Sequence, residues 1–175
     1  HVRPDGDCVG AALGLYNYIV ENDKEAEVHV YLEQPSKKLS YLANFEKIEN
    51  EVKDTGFDLF LAVDLADKER MGIAGELFEQ TANTACIDHH ISNPGYADEN
   101  MIVSDASSTC EVLTGLMAME AISYDAAVAL YIGIICDTGV FKYSNTSRHT
   151  MDMAGCLMEK GIPYSDLIDD VFYRK

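Results

Sequence analysis

Three apolar runs of the chain end in an acid or an acid with two histidines, and the opening residues carry a fourth such set. The chain begins His1-Val2-Arg3-Pro4-Asp5-Gly6-Asp7. Asp64 follows Leu59-Phe60-Leu61-Ala62-Val63, and Asp88-His89-His90 follows Ala85-Cys86-Ile87. Asp137 follows Ile134-Ile135-Cys136 and precedes Thr138-Gly139. One Asp in such a place caps a turn or a helix. Four sets together, interleaved with a His-His pair, have no such shared explanation. Carboxylates and imidazoles on rigid element ends are how a protein holds divalent metals. Two such ions also cancel several converging negative charges. Oxygen-rich ligands with few histidines and no thiolate favour Mn²⁺ or Mg²⁺ over a structural zinc site. Two ions ~3.5–4 Å apart activate a water and neutralise a phosphoryl group, so phosphoester hydrolysis is the reaction class these residues suggest.

The elements that must position them follow from the pattern. Apolar residues at helical spacing (Val9, Leu13, Tyr16, Ile19, Val20) predict a helix over Cys8 to Val20, entered through Gly6-Asp7. Val28 to Leu32 predicts a strand, as do Leu59 to Val63, Ala85 to Ile87 and Met101 to Val103. Ala74 to Gln80 reads as a short helix. Ser108 to Ala121 reads as a longer one, with Ser108 and Glu111 spaced as a capping box. Tyr124 to Cys136 reads as a buried helix, which puts Asp137 at a helix end. Thr146 to Lys160 reads as an amphipathic helix closed by Gly161, and Pro163 opens a last one. Phe141 and Tyr143 alternate as on a short strand. The expected fold class is α/β, a mostly parallel sheet flanked by helices on both faces. Ligands in such folds bind beyond the carboxyl ends of the strands.

Composition narrows the partners. The chain has 175 residues with 13 Lys+Arg against 30 Asp+Glu, a formal charge of −17. That length suits one domain of ordinary size. Such acidity opposes non-specific binding to long duplex DNA or to an anionic membrane. No uninterrupted apolar run approaches the ~20 residues that span a bilayer. The five cysteines are odd in number and lack a C-x-x-C. They fit no disulfide framework or zinc ribbon, and read as small buried hydrophobes in a reducing, cytoplasmic setting.

His1-x-x-x-Asp5-x-Asp7, the isolated Asp64, Asp88-His89-His90 and Asp137-Thr138-Gly139 resemble, in order, the four motifs of the DHH-family phosphoesterases. The run Asp105-Ala106-Ser107-Ser108-Thr109-Cys110-Glu111 resembles the small-residue stretch that family carries between its third and fourth motifs. Within the family the chain is similar to the bacterial oligoribonuclease/pAp-phosphatase type, which degrades very short RNAs and dephosphorylates adenosine 3′,5′-bisphosphate. The resemblance implies two Mn²⁺ ions, with Mg²⁺ as the alternative. His1 and Asp5 would bind one ion, Asp7, His89 and Asp137 the other, and Asp64 both. His90 would face the scissile phosphate as a donor, and Asp88 would orient a histidine.

The same resemblance implies that residues 1–175 are a DHH catalytic domain lacking its first strand and the C-terminal substrate-binding domain. Expected partners are short oligonucleotides or nucleotide phosphates, with a homodimer as a candidate assembly. Alternatives are a cyclic-dinucleotide or linear-dinucleotide phosphodiesterase, and a catalytically silent nucleotide-binding module. Arg148, beside His149 at a helix start, reads either as a phosphate contact or as a solvated helix end. Arg3 reads as a phosphate contact or an exposed charge. Lys37-Lys38 reads as a solvated loop, and His29 as structural.

Overall fold

The structure, a computed structural model, describes residues 1–173. Among the described residues five short strands, all paired in parallel, form two pieces of sheet. Strand β1 (Val30–Tyr31) pairs with β2 (Ile48–Glu49). Strand β3 (Phe60–Val63) pairs with the central β4 (Thr84–Asp88), and β4 with β5 (Glu99–Ile102). Residues 1 and 2 run between the two pieces: the Glu33 amide donates to the His1 carbonyl, and the Val2 amide to the Arg70 carbonyl.

The period-2 alternation of the strands sorts their side chains to two faces. Ala62 and Cys86 face a small cluster with Leu65, Met71 and Phe78, the last from helix α2 (Gly75–Gln80). Val63 and Ile87 face the main core, built on helices α1 (Gly6–Asn22), α3 (Thr109–Leu116) and α4 (Tyr124–Asp137). Helices α5 (Arg148–Met158) and α6 (Tyr164–Phe172) add Ala154, Leu157 and Leu167 to that core. Helices thus cover both faces, as the alternation of strands and helices predicts.

The strand ends decide where the motifs meet. Val63 is level with Ile87, and Asp88 with Ile102. The Asp64 amide still donates to the Ile87 carbonyl, one step beyond β3. Asp64 and the Asp88-His89-His90 segment therefore leave the sheet at the same carboxyl edge. Helices α1 and α4 bring the other two motifs there. Both are buried nearly all round, which marks core helices. They touch through small residues: a Cβ on Gly10 would come 2.5 Å from the Ala129 carbonyl oxygen. That close approach sets Asp7, in the first turn of α1, beside Asp137 at the end of α4.

Several expectations are corrected. The sheet is split rather than continuous, and the strand expected over Val28 to Leu32 is the two-residue β1. β2 had no clear pattern in the sequence. The helix expected over Ser108 to Ala121 stops at Leu116, and a short 3₁₀ turn follows over Met119–Ala121. Met117 and Ile122 are both buried. Five residues apart on one helix they would point ~140° from each other, so the break lets both reach the core. Phe141 and Tyr143 are not on a strand. Gly139, Val140 and Phe141 all take the left-handed conformation, and the Thr138 carbonyl accepts from the Lys142 and Tyr143 amides. Phe141 packs near Tyr131 while Tyr143 stays exposed. Pro163 precedes α6 as its cap residue.

Gly10→Ala tests the helix contact. The added methyl overpacks α1 against α4, and we expect a loss of about 1–3 kcal/mol. A lowered urea midpoint at unchanged slope is the readout, and an unchanged midpoint would show that the helices need no such approach.

Candidate metal centre

Asp7 is wholly buried. Its carboxylate accepts from the Thr109 amide at 2.7 Å and the Cys110 amide at 3.0 Å, the free N–H groups that open α3. Ser108 caps the same helix locally, accepting from the Glu111 amide. Only half of the expected capping box forms, because the Glu111 carboxylate turns to Ser107, His149 and Thr150 instead. Asp64 is 2% exposed, sits at φ 54°, and accepts from the Thr109 hydroxyl at 3.0 Å. A left-handed conformation in a residue other than glycine is a strained arrangement that the surroundings must hold.

His89 faces these acids. Its Nε2 lies 3.3 Å from Asp137, 3.7 Å from Asp64 and 3.9 Å from Asp7. That nitrogen is buried and makes no aligned hydrogen bond. Its other nitrogen, Nδ1, is 3.4 Å from the Ala106 carbonyl, which orients the ring. His90 turns elsewhere: its Nδ1 is 2.7 Å from Asp88, and the two imidazoles lie 4.6 Å apart, tilted by 53°. Asp88 is fully buried and also accepts from the His89 amide and from Asn93. It thus holds His90 and the backbone between the two histidines, and not the His89 ring.

The charges oppose one another strongly. Burial, then the Asp137 carboxylate, pushes Asp7 up to about 6. Burial, then Asp7 and Asp5, raises Asp64 far more. Burial works against a charged His89, but Asp137 and Asp7 outweigh it and lift the ring to about 9. Burial likewise works to raise Asp88, yet the hydrogen bonds from His90 and Asn93 outweigh it and hold the carboxyl below its usual range.

Among the described residues four sets of donors could each hold an ion; His29, Glu49 and Asp54 form one apart from the motifs, and the other three meet here: Asp7, His89 and Asp137; Asp64, His89 and His90; and His1, Cys8 and Asp64. Of the residues singled out from sequence, His1, Asp7, Asp64, His89, His90 and Asp137 therefore converge. Asp5 joins none of these sets. It is exposed and caps α1, accepting from the Cys8 amide at 3.0 Å, though it acts electrostatically on Asp64. Arg148 stands away from the cluster, 94% exposed in its side chain and 3.5 Å from Asp152. Its neighbour His149 reaches Glu111.

Sequence reasoning missed the supports. Thr109 serves both Asp7 and Asp64, and lies inside the quoted small-residue run. Asn145 ties the Asp137 carbonyl to the Ser107 carbonyl. Asn93 follows Asp88 by five residues and no spacing rule identifies it. Cys8, read as a plain hydrophobe, stands among the ligand candidates.

The sequence profile described as "DHH family, N-terminal domain" matches residues 1–134. The chain belongs to the DHH family. Its similarity extends past that match. It is 30% identical over 180 residues to the bifunctional oligoribonuclease and PAP phosphatase NrnA of Bacillus subtilis, covering 100% of this chain and 56% of that protein. The protein of the same name from Thermus thermophilus is 29% identical, with 99% and 52% covered. The chain spans about half the length of the curated relatives it matches. A solved structure, an exopolyphosphatase-related protein from Bacteroides fragilis, shares the fold with a TM-score of 0.90 at 24% identity, over 100% of this chain and 55% of that one. The DHH fold seen here is α/β with parallel strands, as expected. Among the described residues no helix is long and apolar enough to cross a membrane.

In chelator, the folded DHH domain should lose stability as pH rises from about 6.5 to about 9. His89 has its folded-state value raised from 6.5 to about 9. Its contribution is complete below the unfolded value and disappears as pH climbs through the folded one. The raised Asp64 has the same sign, since the folded state keeps a proton the unfolded state has released. Urea midpoints measured across that window should fall, and less so in His89→Gln. Equal slopes in the two proteins would remove His89 from the charge balance.

Proposed function

We propose that this chain is the catalytic domain of a metal-dependent phosphoesterase that hydrolyses short oligoribonucleotides and adenosine 3′,5′-bisphosphate. The observation that carries the reading is the buried Nε2 of His89, which lies 3.3–3.9 Å from the carboxylates of Asp137, Asp64 and Asp7 without an aligned hydrogen bond to any of them. A metal cation can replace the proton that these three acids hold on the ring, the freed nitrogen then turning its lone pair to the ion. The oxygen-rich donor set fits Mn²⁺, with Mg²⁺ as the alternative. Asp7, His89 and Asp137 would hold one ion, His1 the other, and Asp64 would serve both; Asp5, expected beside His1, caps α1 instead and would act on the centre through its charge. When bound, such a pair activates the attacking water and neutralises charge on the phosphoryl group.

The chain's own residues divide the remaining work. The Ala106 carbonyl at Nδ1 keeps Nε2 of His89 turned toward the acids. His90 is fixed through Nδ1 by Asp88, which leaves its Nε2 as the nitrogen to meet a phosphate. The Asp88 carboxylate balances the charge of that ring when both nitrogens carry protons, so the ring can donate to a developing oxyanion. Asp88 is a positioning residue in this reading. The charge of −17 suits a small substrate held at the ions over a long strand that needs a cationic track. The names of the relatives from Bacillus subtilis and Thermus thermophilus support the choice of substrates.

Hydrolysis assays with Mn²⁺ and a panel of pAp, very short RNAs, cyclic di-AMP, pGpG and pyrophosphate test the reading. We expect turnover of pAp and the short RNAs. Asp64→Asn should abolish nearly all of it while the fold is retained. His90→Ala should keep Mn²⁺ affinity and slow the chemical step by about 10²–10³-fold, the scale of one lost oxyanion donor. His89→Ala should weaken Mn²⁺ binding in calorimetry and recover partly at high Mn²⁺. Near-normal turnover in Asp64→Asn, or equal loss of Mn²⁺ affinity in the two histidine variants, would overturn the assignment.

A further inference from the structure

Cys8 is wholly buried in the first turn of α1, and its thiol does not face only apolar atoms. A ring nitrogen of His1, the Sγ of Cys8 and an oxygen of Asp64 all lie within 4.8 Å of one another, and all three residues are buried. His1 is 7% exposed, and its Nδ1 is buried with no hydrogen-bond partner. An imidazole nitrogen stripped of water and left unpaired costs free energy unless something occupies it. The set Asp7, His89 and Asp137 offers only nitrogen and oxygen. The two places therefore differ in one donor, and that donor is soft.

We infer that Cys8 makes the position served by His1 and Asp64 a mixed nitrogen, oxygen and sulfur site that takes a thiophilic divalent ion, Zn²⁺ foremost, over Mn²⁺. The inference rests on the metal reading above and refines it, since the sulfur of Cys8 is one of the three donors gathered at this position. Zn–S bonds of ~2.3 Å and Zn–N or Zn–O bonds of ~2.0–2.1 Å place tetrahedral donors roughly 3.3–3.8 Å apart, within small side-chain shifts of the observed set. On binding, the S–H bond of Cys8 breaks, a sulfur–metal bond forms and the proton leaves to solvent, with no change in oxidation state. Softness decides the preference, because thiolate strengthens binding of Zn²⁺ or Co²⁺ far more than of the hard Mn²⁺. The centre would then hold two unlike ions, the softer beside His1 and the harder beside His89.

The chain, stripped with chelator, is titrated separately with Mn²⁺, Zn²⁺ and Co²⁺ by calorimetry and absorption spectroscopy. Co²⁺ should bring a strong near-ultraviolet sulfur-to-metal charge-transfer band, absent from Cys8→Ser and Cys8→Ala. Zn²⁺ affinity at one site should fall about tenfold or more in both variants, the scale of losing a metal-site partner. Mn²⁺ affinity should change by less than roughly threefold, which also reports that the variants fold. A wild-type chain that binds Co²⁺ without the band overturns the inference with no variant needed. Unchanged Zn²⁺ affinity in the variants, with Mn²⁺ binding intact, removes Cys8 and leaves the proposed function standing. A wild-type chain that binds none of the three ions overturns both.

Discussion

Negative charge brought into a place that water does not reach is the constraint on which the rest of the structure depends. Asp7 and Asp64 are buried, Asp137 is close to both through His89, and that imidazole sets a positive charge against all three. Carboxylates so placed cannot all ionise without cations, and the directions of their pKa shifts say so. The protein offsets part of the cost with fixed dipoles. Two amides at the start of α3 point at Asp7, and the Thr109 hydroxyl points at Asp64. One short helix terminus therefore serves acids from two other elements.

The scaffold supplies the convergence by two separate means. Parallel strands of matched length deliver Asp64 and Asp88-His89-His90 to one edge. Two core helices stripped of bulk at Gly10, Gly14 and Gly133 deliver Asp7 and Asp137 to the same edge. Neither means suffices alone, since the strands carry no ligand from the first or last motif. The glycines are thus as much part of the centre as the acids, and a Cβ on Gly133 would come 2.7 Å from the Asp7 carboxylate itself.

Much of this was legible in the sequence because the signals were local. The apolar runs before Asp64 and Asp88 and the helix before Asp137 specify their own elements, and three motifs follow these directly while the first leads into α1. The split of the sheet was not legible, since β1 and β2 are two residues each and carry no period to read. The turn after Asp137 misled for a physical reason. Alternating Phe141 and Tyr143 look like a strand, but three consecutive left-handed residues are set by the Thr138 carbonyl and hydroxyl, which no side-chain pattern shows. Asn93, Asn145 and the Ala106 carbonyl act through contacts across the fold, and composition cannot show which polar residue will meet which buried acid. Asp5 shows the limit from the other side: its place in the first motif was plain, while its hydrogen bond is spent on capping α1.

The anchoring of the two adjacent histidines is unequal. His90 is tied to a carboxylate that folding itself fixes, through Asn93 and the His89 amide. His89 has one long contact to a carbonyl, lies tilted against the His90 ring, and turns its Nε2 toward acids. Withdrawal of cations would therefore be felt by one ring and scarcely by its neighbour. On the function proposed above, a cell short of metal would hold a protein whose His90 side keeps its shape while the acids around His89 wait. Recovery on resupply would then turn on the unpaired nitrogens of His1 and His89 and not on the refolding of a loop.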